Sequence, residues 1–279
     1  MWSLTEWRKR RFLERNAIDP ALWQRIKDRL PILDGLSDHE LTRLQEQSLL
    51  FLRDKTISAL PGVNLDDEAL LIIAAQAQLP LLNLPDLNWY AGFHEMVIYP
   101  DDFVSPQKYR DDAGIEHSWD DERSGEAWQQ GPVIMAWPGI QQSGDWDGFN
   151  LVIHELSHKL DMLEGSANGL PPLHSDMRIQ SWANAMQTAY DALEAQIETD
   201  PDAEPPIDPY AAEDPAEFFA VTSEYFFTAP DVLHHAYPEV YAQLQQFYRQ
   251  DPLARLRCLQ QGHPAYAQEP ATADDGLGS

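Results

Sequence analysis

The sequence predicts an α+β fold, mostly helical, with a small mixed sheet in the middle of the chain and a helical N-terminal region. Two observations carry this reading. Apolar residues recur at helical spacing through much of residues 3–77 and again from 149 to 260. Between them proline becomes frequent, and two short runs, Met96-Val97-Ile98-Tyr99 and Val133-Ile134-Met135-Ala136-Trp137, read as strands. Each is closed by a proline, Pro100 and Pro138, which stops a strand.

The elements follow in order. Residues 3–54 read as helical, with apolar positions at Ala21, Leu22, Ile26, Leu30 and then Leu41, Leu44, Leu49, Leu50. Ser37 precedes an acidic first turn (Asp38, Glu40) and is an N-cap signal. A β-prone pair, Thr56-Ile57, leads to a turn at Pro61-Gly62, and Asp66 opens an apolar helix through about Ala77. The polar, acidic stretch from Asp111 to Gln130 reads as a loop or hairpin excursion between the strands. Residues 149–163 return to a helical pattern, and Gly165, Asn168, Gly169, Pro171 and Pro172 mark a loop. A helix follows from about Ser175 to Glu198, then an acidic, proline-rich linker over 199–209. Pro215 suits the first turn of a helix that runs to Phe227, and a last helix spans about Glu239 to Gln260. The expected organisation is a helical region over 1–80 packed on a core over 81–262, with a disordered tail over 263–279.

Composition narrows the function. A net charge of −27 repels phosphate backbones and anionic headgroups, which argues against nucleic acid or membrane as partner. The one cysteine, Cys258, rules out an internal disulfide and a cysteine-based zinc cage. The basic N-terminal residues are followed by no apolar h-region, and no apolar run reaches the ~18 residues of a bilayer span. The cytoplasm is the expected compartment.

The chemistry centres on His154-Glu155-Leu156-Ser157-His158. On a helix, residues four apart share a face, so both imidazoles can reach one ion at ~2.0–2.1 Å. Glu155 lies one step round, where a carboxylate can take a proton from water without ligating the metal. The bland alternative is two histidines on an ordinary helix. A catalytic zinc site needs a third protein ligand and an open position. Glu217, in the first turns of the helix from Pro215 and beside apolar side chains, is the better candidate, because a carboxylate on a core face is costly unless paired or metal-bound. Glu164 and Glu224 are the other candidates, Glu224 also as a partner of a ligand. Asp161 could orient a histidine by accepting its other ring proton, or be a plain helix-face charge. Tyr210, in a loop seven residues before Glu217, could donate to the oxyanion of a tetrahedral intermediate, although most tyrosines are packing residues. The strand 133–137 is a candidate edge for an extended peptide, or a core strand. His94, His117, His174, His234 and His235 have no partner at motif spacing and read as ordinary.

Three segments together resemble the Mlc titration factor A family of zinc peptidases: His154 to Asp161, Asp208-Pro209-Tyr210-Ala211-Ala212, and Asp214 to Phe227 with its Glu217-Phe218-Phe219-Ala220 core. Leu71 to Ala77, Val97-Ile98-Tyr99-Pro100 and Ser124-Gly125-Glu126-Ala127-Trp128 add support, so the likeness covers about residues 10–262. The resemblance implies a zincin-like, gluzincin-type core related to the catalytic domain of anthrax lethal factor. It implies one zinc ion per chain held by the residues matching His154, His158 and Glu217. It implies a base at Glu155 and transition-state stabilisation by Tyr210. It further implies aminopeptidase activity on peptide substrates and, as in enteric bacteria, binding of the glucose repressor Mlc with modulation of the glucose phosphotransferase system. The rival reading is a non-catalytic protein that sequesters a regulator and carries a structural or vestigial zinc site. Glu155 argues against it, since a structural site has no use for a base beside its ligands.

Overall fold

The structure is a computed structural model, and it describes residues 4–85, 88–101, 103–110, 116–123, 125–127, 131–200 and 203–262. The expected tail from His263, together with Ser124, Trp128 and the side chain of His117, lies outside the described residues.

The helical N-terminal residues form three helices, α1 (Leu4–Arg15), α2 (Pro20–Arg29) and α3 (Asp38–Asp54). Prolines divide them. Pro20 opens α2, and Pro31 begins a short 3-10 turn (Pro31–Leu33) after it. Ser37 caps α3 in a full capping box, with Glu40 bonding back to the Ser37 backbone. Strand β1 (Thr56–Ala59) and helix α4 (Asp67–Gln78), capped by Asp66, follow as the sequence predicts.

The sheet is mixed. Strands β2 (Glu95–Tyr99) and β6 (Val133–Ala136) run parallel to each other, β1 runs parallel to β2, and β5 (Gly125–Ala127) runs antiparallel to β6, in the order β1-β2-β6-β5. Strands β3 (Phe103–Arg110) and β4 (Glu116–Arg123) make a separate antiparallel pair, so the excursion expected over 111–130 begins earlier, at Phe103. Register pairs Met96 with Val133 and Ile98 with Met135, and all four are buried. Strand β6 has neighbours on both sides, so it is an interior strand; the edge beside it is β5. Trp137 belongs to the next element, α5 (Trp137–Gln142), because Pro138 suits a first helical turn and ends the ladder.

Helices α6 (Leu151–Asp161), α7 (Ile179–Thr199) and α8 (Pro215–Thr228) follow, then α9 (Pro230–Ala236), α10 (Pro238–Tyr248) and α11 (Pro252–Gln260). The single last helix expected from Glu239 to Gln260 is broken at Arg249, whose φ of 53° is left-handed, and Pro252 starts a new helix. Helix α6 packs against β5, β6, α4 and α8 at once, and all eleven of its residues are buried. Phe219, Phe226 and Phe227 of α8 join Trp182, Phe247 and Tyr248 in an aromatic cluster. One hydrophobic cluster runs from Trp23 to Leu253. Among the described residues, no helix is long and apolar enough to cross a membrane.

Candidate metal centre

A helix buried on every side must find a partner for each polar group it carries. In α6 most do so locally. Asn150 caps the helix, its Oδ1 accepting from Ile153 N at 3.0 Å. Ser157 Oγ donates to Ile153 O at 2.8 Å, and Lys159 Nζ donates to Gly131 O at 3.3 Å. Asp161 Oδ2 accepts from the backbone N–H groups of Asn168 and Gly169 at 2.7 Å each. Asp161 therefore ties down the loop after the helix, while the carboxylate on the Nδ1 side of a histidine ring is Glu224, against His154.

His154 and His158 stand one turn apart and turn their Nε2 atoms to one point, 3.3 Å from each other. Glu217 arrives there from the first turn of α8. Asp214 caps that helix by accepting from Ala216 N and Glu217 N, and Pro215 fills its first position. Glu217 Oε2 lies 3.1 Å from His154 Nε2 and 3.2 Å from His158 Nε2. These three side chains form the one group among the described residues whose donor atoms could share a metal ion. The spacing fits the chemistry of zinc: a tetrahedral ion with ~2.0–2.1 Å bonds separates its ligands by about 3.3 Å. Two imidazoles and one carboxylate leave a fourth position free, the donor set of a catalytic rather than a closed structural site. Glu164 is exposed at the end of a 3-10 turn (Met162–Glu164) and is not part of this group.

Glu155 is 3% exposed, and its Oε2 has no hydrogen-bond partner. Burial pushes its pKa up to about 7; the two histidines pull it down in part, and Glu217 and Glu224 push it up further. Burial opposes a charge on His154, but Glu224, Glu217 and Glu155 outweigh it and hold the imidazole well above the ordinary histidine value. Burial likewise opposes a charge on Glu217, yet the hydrogen bonds and charges of His154 and His158 hold it below the usual carboxylate range. These are the properties of a site poised to exchange protons for a cation.

Tyr210 sits in a 3-10 turn (Pro209–Ala212) capped by Asp208, and that turn packs against α8. Its ring centroid is 6.0 Å from that of His154, and at 37% exposure it borders the solvent side of the site. His94, His234 and His235 are exposed, and His174 stacks on Phe247, so none joins the group. Asn150 and Gln76, which hold the start of α6 from below, were not legible as site residues; an asparagine just ahead of an apolar helical run was their only signal. A cavity of about 440 Å³ opens where α6 ends, between Asp161, Asn168, Leu170, His174 and Met177.

The family described as glucose-regulated metallo-peptidase M90 matches residues 4–249. Three curated relatives share the name Mlc titration factor A. The chain is 40% identical to that of Cronobacter sakazakii over 260 residues, which is 93% of this chain and 94% of the relative. It is 44% identical to that of Salmonella arizonae over 231 residues, 82% and 90% of the two chains. It is 41% identical to that of Escherichia coli over 234 residues, 84% and 88% of the two chains.

Proposed function

The chain belongs to the glucose-regulated metallo-peptidase M90 family, and on that premise we propose that it is a zinc-dependent peptidase of aminopeptidase type, with His154, His158 and Glu217 as zinc ligands, Glu155 as base and Tyr210 as oxyanion donor. The observation that carries the reading is the convergence of His154 Nε2, His158 Nε2 and Glu217 Oε2 at 3.1–3.3 Å beside a buried, unpartnered carboxylate oxygen of Glu155. Bound zinc would supply Lewis-acid polarisation and a water of lowered pKa. The protein's own residues do the rest. Glu155, buried beside the ligands with one carboxylate oxygen unpartnered, accepts the proton of the attacking water and returns it to the leaving amine. Tyr210, on the open side, donates its phenol O–H to the carbonyl oxygen as negative charge develops there. An extended peptide adds as a strand to an unpaired sheet edge, and β5 is the edge strand against which α6 packs.

The domain reading extends this proposal: a zincin-like catalytic core over 81–262 with the 1–80 region packed on it, working in the cytoplasm. The relatives' name supports a second role, binding of Mlc or an equivalent repressor, with which a peptidase site can coexist. A non-catalytic sequestering protein is the alternative, and Glu155→Gln separates the two. Hydrolysis of free-amine peptides should vanish in that variant while zinc content stays at the parent level. Unchanged turnover would remove Glu155 from the mechanism, and absence of turnover in the zinc-loaded parent on any peptide tried would favour the sequestering role. An amino-blocked peptide cleaved as fast as its free-amine counterpart would replace the aminopeptidase assignment with an endopeptidase one.

A further inference from the structure

Glu224 lies on α8 two turns beyond Glu217 and is 6% exposed. A carboxylate that deep is costly unless its oxygens are taken up by donors. Both are. Oε1 lies 2.7 Å from His154 Nδ1, and Oε2 accepts from the Asn150 backbone N–H at 2.8 Å. An ionised carboxylate can only accept, so Nδ1 of His154 carries the proton in that bond. In the neutral ring the lone pair then belongs to Nε2, the nitrogen turned toward His158 and Glu217.

The second oxygen makes this more than a ring-orienting contact. Asn150 is the N-cap of α6. Its Nδ2 donates to Gln76 Oε1 at 2.7 Å, and Gln76 Nε2 donates to Ile72 O at 3.2 Å, one turn back in α4. Asn150 and Gln76 are fully buried, at 0% exposure each. One carboxylate on α8 thus holds the start of α6 and the ring of a ligand on α6, with α4 backing the joint.

We propose that Glu224 is a positioning residue: it sets the tautomer and ring plane of His154 and, through Asn150, the seating of α6 against α8, so that His154, His158 and Glu217 are matched before a metal arrives. The inference rests on the reading of those three as zinc ligands. Glutamine at 224 keeps the shape but cannot serve both contacts. With its oxygen toward Asn150 N–H, its amide N–H faces His154 Nδ1 and drives the ring proton to Nε2. Turned over, it sets N–H against the Asn150 N–H.

The test is zinc affinity of the full chain, measured by competition with a chromophoric chelator in the parent and in Glu224→Gln. Loss of a carboxylate behind a ligating histidine weakens zinc ~10–100-fold, and that range is expected here. A parallel measurement needs no variant. In the ¹⁵N-histidine-labelled, zinc-loaded parent, His154 should show an Nδ1–H resonance protected from solvent exchange, a signature that mere bulk at position 224 does not produce. Affinity in Glu224→Gln within about twofold of the parent, or an unprotected Nδ1–H in the parent, overturns the role given to Glu224 and leaves the zinc site standing. A parent that binds no zinc overturns both. If Glu224→Gln does not fold, the parent's resonance decides.

Discussion

Gly169 offers a test of how the loop after α6 supports the third ligand. Its φ is +78°, and a Cβ built there would stand 2.5 Å from Pro215 O, about 0.9 Å short of the 3.4 Å at which ordinary contact begins. Placing an L-residue in the left-handed region costs roughly 1–2 kcal/mol. Forcing an extra carbon into a packed interior costs roughly 1–3 kcal/mol more. The neighbour is backbone and cannot rotate away. The loop cannot retreat easily either, because Asp161 Oδ2 accepts from Gly169 N and Trp182 Nε1 donates to Gly169 O at 2.9 Å. Relief must come from the first turn of α8, and Glu217 is two residues past Pro215. Gly169→Ala is therefore expected to lower stability of the metal-free protein by about 2–5 kcal/mol, read by urea unfolding. It should also weaken zinc by at least about tenfold, because a ligand displaced by ~1 Å no longer matches the ion. Gly262→Ala is the control: its φ is +77° with nothing within 4 Å, so it carries the backbone cost alone. A Gly169→Ala variant within about 0.5 kcal/mol of that control, with parental zinc affinity, refutes the coupling between loop and ligand.

The metal-free protein should lose stability as pH rises. Glu155 binds its proton more tightly folded, at about 7 against the ordinary glutamate 4.5, so its ionisation between those values removes on the order of 3 kcal/mol. His154, held high, contributes stability that is present at low pH and lost through its own folded pKa, the same direction. Glu217, held low, gives stability that is fully present above the ordinary glutamate pKa and lost progressively as pH falls below it, outside the pH 5–8 range. Urea midpoints should fall between pH 5 and pH 8 without metal and rise with saturating zinc, whose ligands must be deprotonated; a metal-free midpoint that climbs over that range contradicts these assignments. Tyr210→Phe should lower kcat by about 10²–10³ with KM little changed, and steady-state kinetics showing the loss in KM alone would make Tyr210 a binding residue. Asn150→Ala removes a helix cap and leaves the buried Gln76 Oε1 short of its donor, while the backbone N–H that Glu224 accepts from remains, so about 2–4 kcal/mol of stability should go in urea unfolding. A loss below about 0.5 kcal/mol would mean the network is not closed as described.

What could be read in advance depended on whether the signal was local. The two histidines and Glu155 were legible because helical periodicity alone puts residues 154 and 158 on one face. Glu217 needed an argument from burial cost, and its choice over Glu164 and Glu224 needed tertiary placement: Glu224 points to the far nitrogen of His154, and Glu164 faces outward. The roles of Asp161 and Gly169 depend on a loop folding back onto α8, which no window of sequence contains. The same limit applies to the sheet. Runs 96–99 and 133–136 were visible as strands, but that β6 is interior and β5 is the edge follows from pairing across long separations. The break at Pro252 is hidden because apolar periodicity continues through the proline and the repeat outlives the geometry that proline forbids, whereas the start of α3 is visible in the cap at Ser37.

The most direct measurement is the zinc content of the purified chain after chelator stripping and reloading, with His154→Ala and Glu217→Ala beside the parent. About one zinc per chain is expected in the parent, lost or sharply weakened in both variants. Full retention of zinc in Glu217→Ala would move the third ligand elsewhere, and a parent that takes up no zinc would contradict the metal centre itself.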